Sequence, residues 1–283
     1  MPGIRIGPSG FVAAAEWTRE RLDLFGVPQP PGNRLIKAEQ LIRDVNDRRF
    51  VLRPDDDTLL YRVSEAQWTI VEQYIIARSL GKPGSALGGE LRAKLATMLS
   101  GAGTEDDDKN PLARNTQFEL YTRATIVMGN VPAWLAEPDL RVDYLGAEIG
   151  VAAKRVTSSK QLLKRAKDAV RQIKKSGLAG FVALNVDVLM KAVAPDVTND
   201  EPLHERLALL TAVDDELVQH DEVVGSLVFA RDTVWQFGDE RPSVGIASTQ
   251  RFATYPRSPE QLEHGELFWR KAQELIDQRL DEL

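Results

Sequence analysis

Asp139 and Lys154 are the residues in which a chemistry is most readily read. The stretches 139–145 and 148–156 have the pattern of two strands joined at Gly146-Ala147. A two-residue turn there makes Leu145 oppose Glu148, which sets Asp139 against Lys154, Arg141 against Ala152 and Asp143 against Gly150. Opposed residues project from one face of a sheet, so a carboxylate and an ammonium would stand side by side. As a plain surface ion pair they would contribute only about 0–1 kcal/mol. A cationic segment follows directly. Between Lys154 and Lys175 nine basic residues meet one acid, Asp168, so the segment carries +8 in a chain whose net charge is -6 and leaves -14 to the remainder. Lys160, Lys164, Lys167, Arg171 and Lys174 recur at spacings of four and three. A helix with that stripe can follow a phosphate backbone, each neutralised phosphate adding salt-dependent affinity. The competing reading is an ordinary solvated helix face.

Several elements must position these residues. A helix over 115–128 carries Glu119 among apolar neighbours, an unusual place for an unpaired acid. An extended stretch at 131–136 leads into the hairpin. Leu162, Leu163, Ala166, Val170 and Ile173 form the apolar face of a helix over 159–175, which Gly177 stops because a residue without a Cβ suits a left-handed cap. The continuous apolar run 181–186 has the length of a buried strand. A helix over 201–219, strands over 223–237 and 243–252 and a final helix over 259–280 complete this part. Upstream, Leu35, Ile36, Leu41, Ile42 and Val45 recur at helical spacing, as do Trp68, Val71, Ile75 and Ile76 after Ser64, which is read as an N-cap. The expectation is an α/β chain. A helical region over 1–104 precedes a mixed sheet flanked by helices over 105–257, and a C-terminal helix occupies 258–283. Trp134 and Trp235 on strands, and Trp68 and Trp269 on helices, are expected in the core.

The rest of the sequence removes alternatives. With no cysteine there are no disulfides, thiolate metal sites or cysteine nucleophiles, which suits a reducing compartment. His204, His220 and His264 are too scattered for a zinc site, and no His-Glu-x-x-His occurs. Gly81-Lys82-Pro83-Gly84 lacks the spacing of a phosphate-binding loop, Gly101-Ala102-Gly103 lacks the third glycine of a dinucleotide fingerprint, and there is no Gly-x-Ser-x-Gly elbow. The acidic run 105–108 reads as a solvated loop, and Asp187 as a strand-end acid. Met1-Pro2-Gly3-Ile4-Arg5 has no signal pattern, and no window approaches the roughly 18 apolar residues of a membrane span. A cytoplasmic protein without a membrane partner is expected.

Glu119 on a first helix, Glu137-Pro138-Asp139, a strand ending in Lys154, a basic helix and an apolar strand together resemble the PD-(D/E)xK nuclease superfamily. The resemblance covers about residues 113–187, with the strands over 223–252 as extensions of a restriction-endonuclease-like core. It implies a Mg²⁺-dependent (or Mn²⁺-dependent) endonuclease in which Asp139 binds the ion, Glu119 assists and Lys154 serves the attacking water. The family places a second acid two residues before the lysine, where this chain has Ala152. Some members take that acid from the following helix; Asp168 stands 14 residues after Lys154 and would replace it, with Gln172 supporting the metal water or a phosphate. Lys160, Lys164, Lys167, Arg171 and Lys174 would hold phosphates, with Arg155 as a further contact. DNA is favoured over RNA as partner, and cutting both strands of a duplex would call for a homodimer. The alternative is a catalytically inactive, nuclease-like component that binds nucleic acid, or a protein partner through the N-terminal helices.

Overall fold

In the computed structural model, residues 8–53, 55–82, 85–104, 111–144, 146–188, 210–237 and 242–255 are described, with 270, 274 and 278 singly. The acidic run 105–108, the first half of the helix expected over 201–219, and nearly all of the helix over 259–280 lie outside them, as do the side chains of Trp235 and Trp269.

Helix dominates the N-terminal part: α1 (Pro8–Leu24), α2 (Arg34–Asn46), α3 (Asp57–Arg78), α4 (Gly89–Leu99) and α5 (Leu112–Met128). α3 is buried almost all round from Leu59 to Ala77 and forms the centre of this part. Its N-cap is Asp56, whose carboxylate accepts from the Leu59 N–H at 2.9 Å. Ser64, expected as the cap, instead lies inside the helix and donates to the Leu60 carbonyl four residues back, at 2.9 Å. Asp56 wins because its carboxylate sits before the first turn, where the backbone N–H groups lack helical partners. Trp68 is 5% exposed and belongs to the core as expected.

A mixed six-stranded sheet follows in the order β1 (Ala133–Ala136), β2 (Asp139–Tyr144), β3 (Ala147–Arg155), β4 (Gly180–Asn185), β5 (Val223–Phe237) and β6 (Pro242–Thr254). β1, β2 and β3 are antiparallel, whereas β3–β4 and β4–β5 are parallel. Parallel neighbours require a crossover, which α6 (Ser159–Ser176) supplies between β3 and β4. Gly177 closes α6 at φ +73°, the left-handed cap read from the sequence. Ala152, Val182, Leu184 and Val228 from the strands pack with Leu162, Ala166, Val170 and Ile173 of α6, and with Val213 and Leu217 from the helical residues 210–217. Both helical segments therefore cover one face. On β1, an edge strand, Trp134 is 41% exposed and not in the core as expected.

The hairpin register differs from expectation by two residues. Leu140 pairs with Val151, Arg141 with Gly150, Asp143 with Glu148 and Tyr144 with Ala147. Ala147 thus belongs to the strand and not to the loop, and the register continues to Asp139 level with Ala152, not Lys154. Side chains alternate with a period of two, so a slip of two leaves every residue on its expected face. Asp139 and Lys154 still share one.

The chain divides into two compact units within α5: the first runs through Thr125, and the second runs from Ile126 to Asp232 and resumes at Ser248. Among the described residues no helix is long and apolar enough to cross a membrane.

Candidate functional site

Asp139 opens β2, Lys154 lies near the end of β3 and Gln172 lies on α6, all in the second unit. They converge. Asp139 Oδ2 accepts from Lys154 Nζ at 2.7 Å and from the Ala153 N–H at 2.8 Å, and Asp139 Oδ1 accepts from Gln172 Nε2 at 2.9 Å. Gln172 Nε2 also donates to the Pro138 carbonyl, which fixes the amide orientation. The acid and the lysine side chain are 13% and 19% exposed, so the pair is shielded but reachable from solvent. A carboxylate offers about four acceptor positions, and three of Asp139's are filled.

Close backbone packing positions the acid. A Cβ added at Gly150 would lie 2.7 Å from Pro138 Cδ and 2.8 Å from its Cγ, and a proline ring cannot swing aside. Gly150→Ala is therefore expected to displace Pro138 and with it Asp139. It should lower stability by about 1–3 kcal/mol, as overpacking does, read as a shift of the unfolding midpoint.

α6 brings the helical candidates to different sides. At about 100° per residue, Gln161, Arg165, Asp168 and Gln172 share the flank next to Asp139. Lys160, Lys164, Arg171 and Lys175 form the exposed crown, and Leu163, Lys167, Val170 and Lys174 form the opposite flank. Asp168 stands one turn, about 6 Å, before Gln172. Its carboxylate is ion-paired with Arg171 and lies 3.9 Å from Arg165. The cationic stripe thus runs over the crown and the opposite flank, and none of its five residues is on the flank next to Asp139.

Glu119 belongs to α5 in the first unit, where Lys94 of α4 donates to its carboxylate. That pairing accounts for an acid among apolar neighbours. Arg155, expected as a phosphate contact, is 8% exposed. As the strand neighbour of Lys154 it projects from the opposite face, so it is withdrawn from that role. Asp187 is fully buried and braces the end of β4 against the middle of β5, accepting from Asn185 Nδ2 at 2.6 Å, from the Arg231 N–H at 2.7 Å and from Arg231 Nε at 2.5 Å. Among the described residues there is no group of three or more acidic or histidine side chains able to hold a metal ion. Two contributors escaped the sequence reading. The Ala153 N–H and the Pro138 carbonyl are backbone groups and carry no residue-type signal.

No family model matches the chain, and neither the curated proteins nor the solved structures contain a significant match to it.

Proposed function

We propose that the second unit is a metal-dependent nuclease module of PD-(D/E)xK type, with Asp139, Lys154 and Gln172 at its centre and phosphates held along α6. The observation that carries this reading is the convergence of an acid from β2, an amine from β3 and an amide from α6 within hydrogen-bond distance. Magnesium is commonly held by one or two carboxylates together with substrate phosphates and its own waters. Asp139, through its remaining acceptor position, and Asp168, on release from Arg171, would supply those carboxylates; Glu119 would likewise have to leave Lys94. When bound, such an ion polarises the scissile phosphate and lowers the pKa of a water. The chain's own groups do the rest. Lys154 presents a point charge where the attacking water and the developing negative charge would stand. Gln172 and the Ala153 N–H hold the Asp139 carboxylate in one orientation. DNA is the preferred substrate, a homodimer would be needed to cut both strands of a duplex, and the lack of cysteine suits a cytoplasmic setting.

A second reading has its own support. Ala152, fully buried, occupies the position where the family carries an acid, which favours a module that binds nucleic acid without cutting it. Incubation of the purified chain with labelled DNA and RNA in Mg²⁺, Mn²⁺ or EDTA separates the two. Cleavage in either metal and none in EDTA is expected. Intact substrate in both metals, with salt-sensitive binding retained, leaves only the second reading.

A further inference from the structure

The flank of α6 turned away from Asp139 borders an open groove of about 570 Å³. Leu163, Lys167, Arg171 and Lys174 line one wall, and Glu216 and His220 the other. Lys167 Nζ lies 3.3 Å from Glu216 Oε2, and Lys174 Nζ lies 3.3 Å from Glu222 Oε2. The lysine side chains are 55% and 43% exposed, so these are surface ion pairs; such pairs hold their partners weakly, and a polyvalent anion can displace the acid from the lysine. Glu216 Oε1 also sits 3.2 Å from His220 Nε2. That hydrogen bond first, and the contact with Lys167 next, hold the Glu216 carboxyl below its ordinary range, so it stays ionised at neutral pH. Lys164 adds a further cation to the lining, where Glu216 is the one acid; Lys174 and Arg171 have their own acids, Glu222 and Asp168, beside them. Leu163, 41% exposed, gives the groove an apolar lip.

We infer that this groove is a second seat for the sugar–phosphate backbone of nucleic acid, on the opposite flank of α6 from Asp139, and that a phosphate takes the place of Glu216 on Lys167. The inference rests on the nucleic-acid side of the function proposed above, not on cleavage. A strand reaching from one flank to the other crosses the crown, where Lys160, Lys164 and Arg171 are exposed. At a helix diameter of about 10–12 Å, that crossing spans about three base-pair steps of a duplex, whose axial rise is about 3.4 Å.

The test uses the full chain in EDTA, with fluorescence anisotropy of labelled 20-nucleotide single-stranded and duplex DNA over a salt series. Lys167→Gln with Lys174→Gln should weaken binding about tenfold or more at 0.1 M salt. The slope of log affinity against log salt should fall by about 1.4–1.8, the loss of two phosphate contacts. Glu216→Gln should tighten binding about three- to tenfold, because it removes the competing acid, an outcome a merely structural Glu216 would not give. The inference is overturned if Glu216→Gln fails to tighten binding, if the double variant keeps the parental salt slope, or if polyglutamate occupies the groove while DNA does not. These outcomes are independent of activity. A chain that never cuts but shows both groove responses defeats only the nuclease reading. A chain that cuts but shows neither response defeats only this one.

Discussion

Lys154→Ala is expected to reduce metal-dependent cleavage by about 100- to 1,000-fold while leaving nucleic-acid affinity in EDTA within about threefold. The size follows from the loss of a charge aimed at developing negative charge, which ordinarily costs that much in rate. Affinity should survive because the cations available to phosphates, Lys160, Lys164, Lys167, Arg171 and Lys174, belong to α6 and do not depend on Lys154. The fold should survive too. Asp139 keeps its bonds from the Ala153 N–H and Gln172, and the lost ion pair is partly open to solvent, so a destabilisation of about 1 kcal/mol is expected. Single-turnover cleavage, anisotropy and thermal unfolding measured on one preparation check all three statements. Activity within tenfold of the parent would remove Lys154 from the chemistry. Lys154→Arg should not restore the rate, since a planar fork does not reproduce a compact ammonium next to one carboxylate.

How far this centre was legible in the sequence depends on the kind of signal each residue carries. The shared face of Asp139 and Lys154 was readable because strand alternation fixes parity, and it withstood a register error of two. The register itself was not readable, since Gly146 serves as either the first or the second residue of a two-residue loop. Gln172 was readable as one turn beyond Asp168, because a helix repeats its faces every three or four residues. The same parity separates Arg155 from the centre: adjacent strand residues face opposite sides, so Lys154 and Arg155 do not serve one site. The partners of Glu119, Lys167 and Lys174 are a different matter. Lys94 and Glu119 are 25 residues apart on separate helices, and the acids Glu216 and Glu222 reach α6 from a segment beyond β4. Such pairings depend on how helices pack, which periodicity does not specify. The helical character of the first hundred residues was legible, whereas the polar interior of that region was not, because buried amides and charges look like surface residues until their partners are known.

That interior gives the largest expected effect on stability. Gln117 of α5 is 4% exposed and its amide joins three helices. Its Oε1 accepts from Arg34 Nη1 of α2 at 3.0 Å and from Gln73 Nε2 of α3 at 3.3 Å, and its Nε2 donates to Glu72 Oε2 of α3 at 2.5 Å. Gln117→Leu fills nearly the same volume but withdraws all three bonds from side chains that are themselves buried: Arg34 at 1%, Gln73 at 0% and Glu72 at 6% exposure. Each buried polar group that loses a partner costs about 1–3 kcal/mol, and more when it is charged. A loss of about 3–5 kcal/mol is therefore expected, at the upper end of single-substitution effects. Gln117→Glu should be nearly as damaging, since it sets a second carboxylate against Glu72 although it keeps acceptors for Arg34. Chemical denaturation gives the magnitude, and hydrogen exchange localises it: protection should fall in α2, α3 and α5. If Gln117→Leu unfolds within 1 kcal/mol of the parent, the amide is not the junction of these helices, and their packing rests on the apolar contacts of α3 alone.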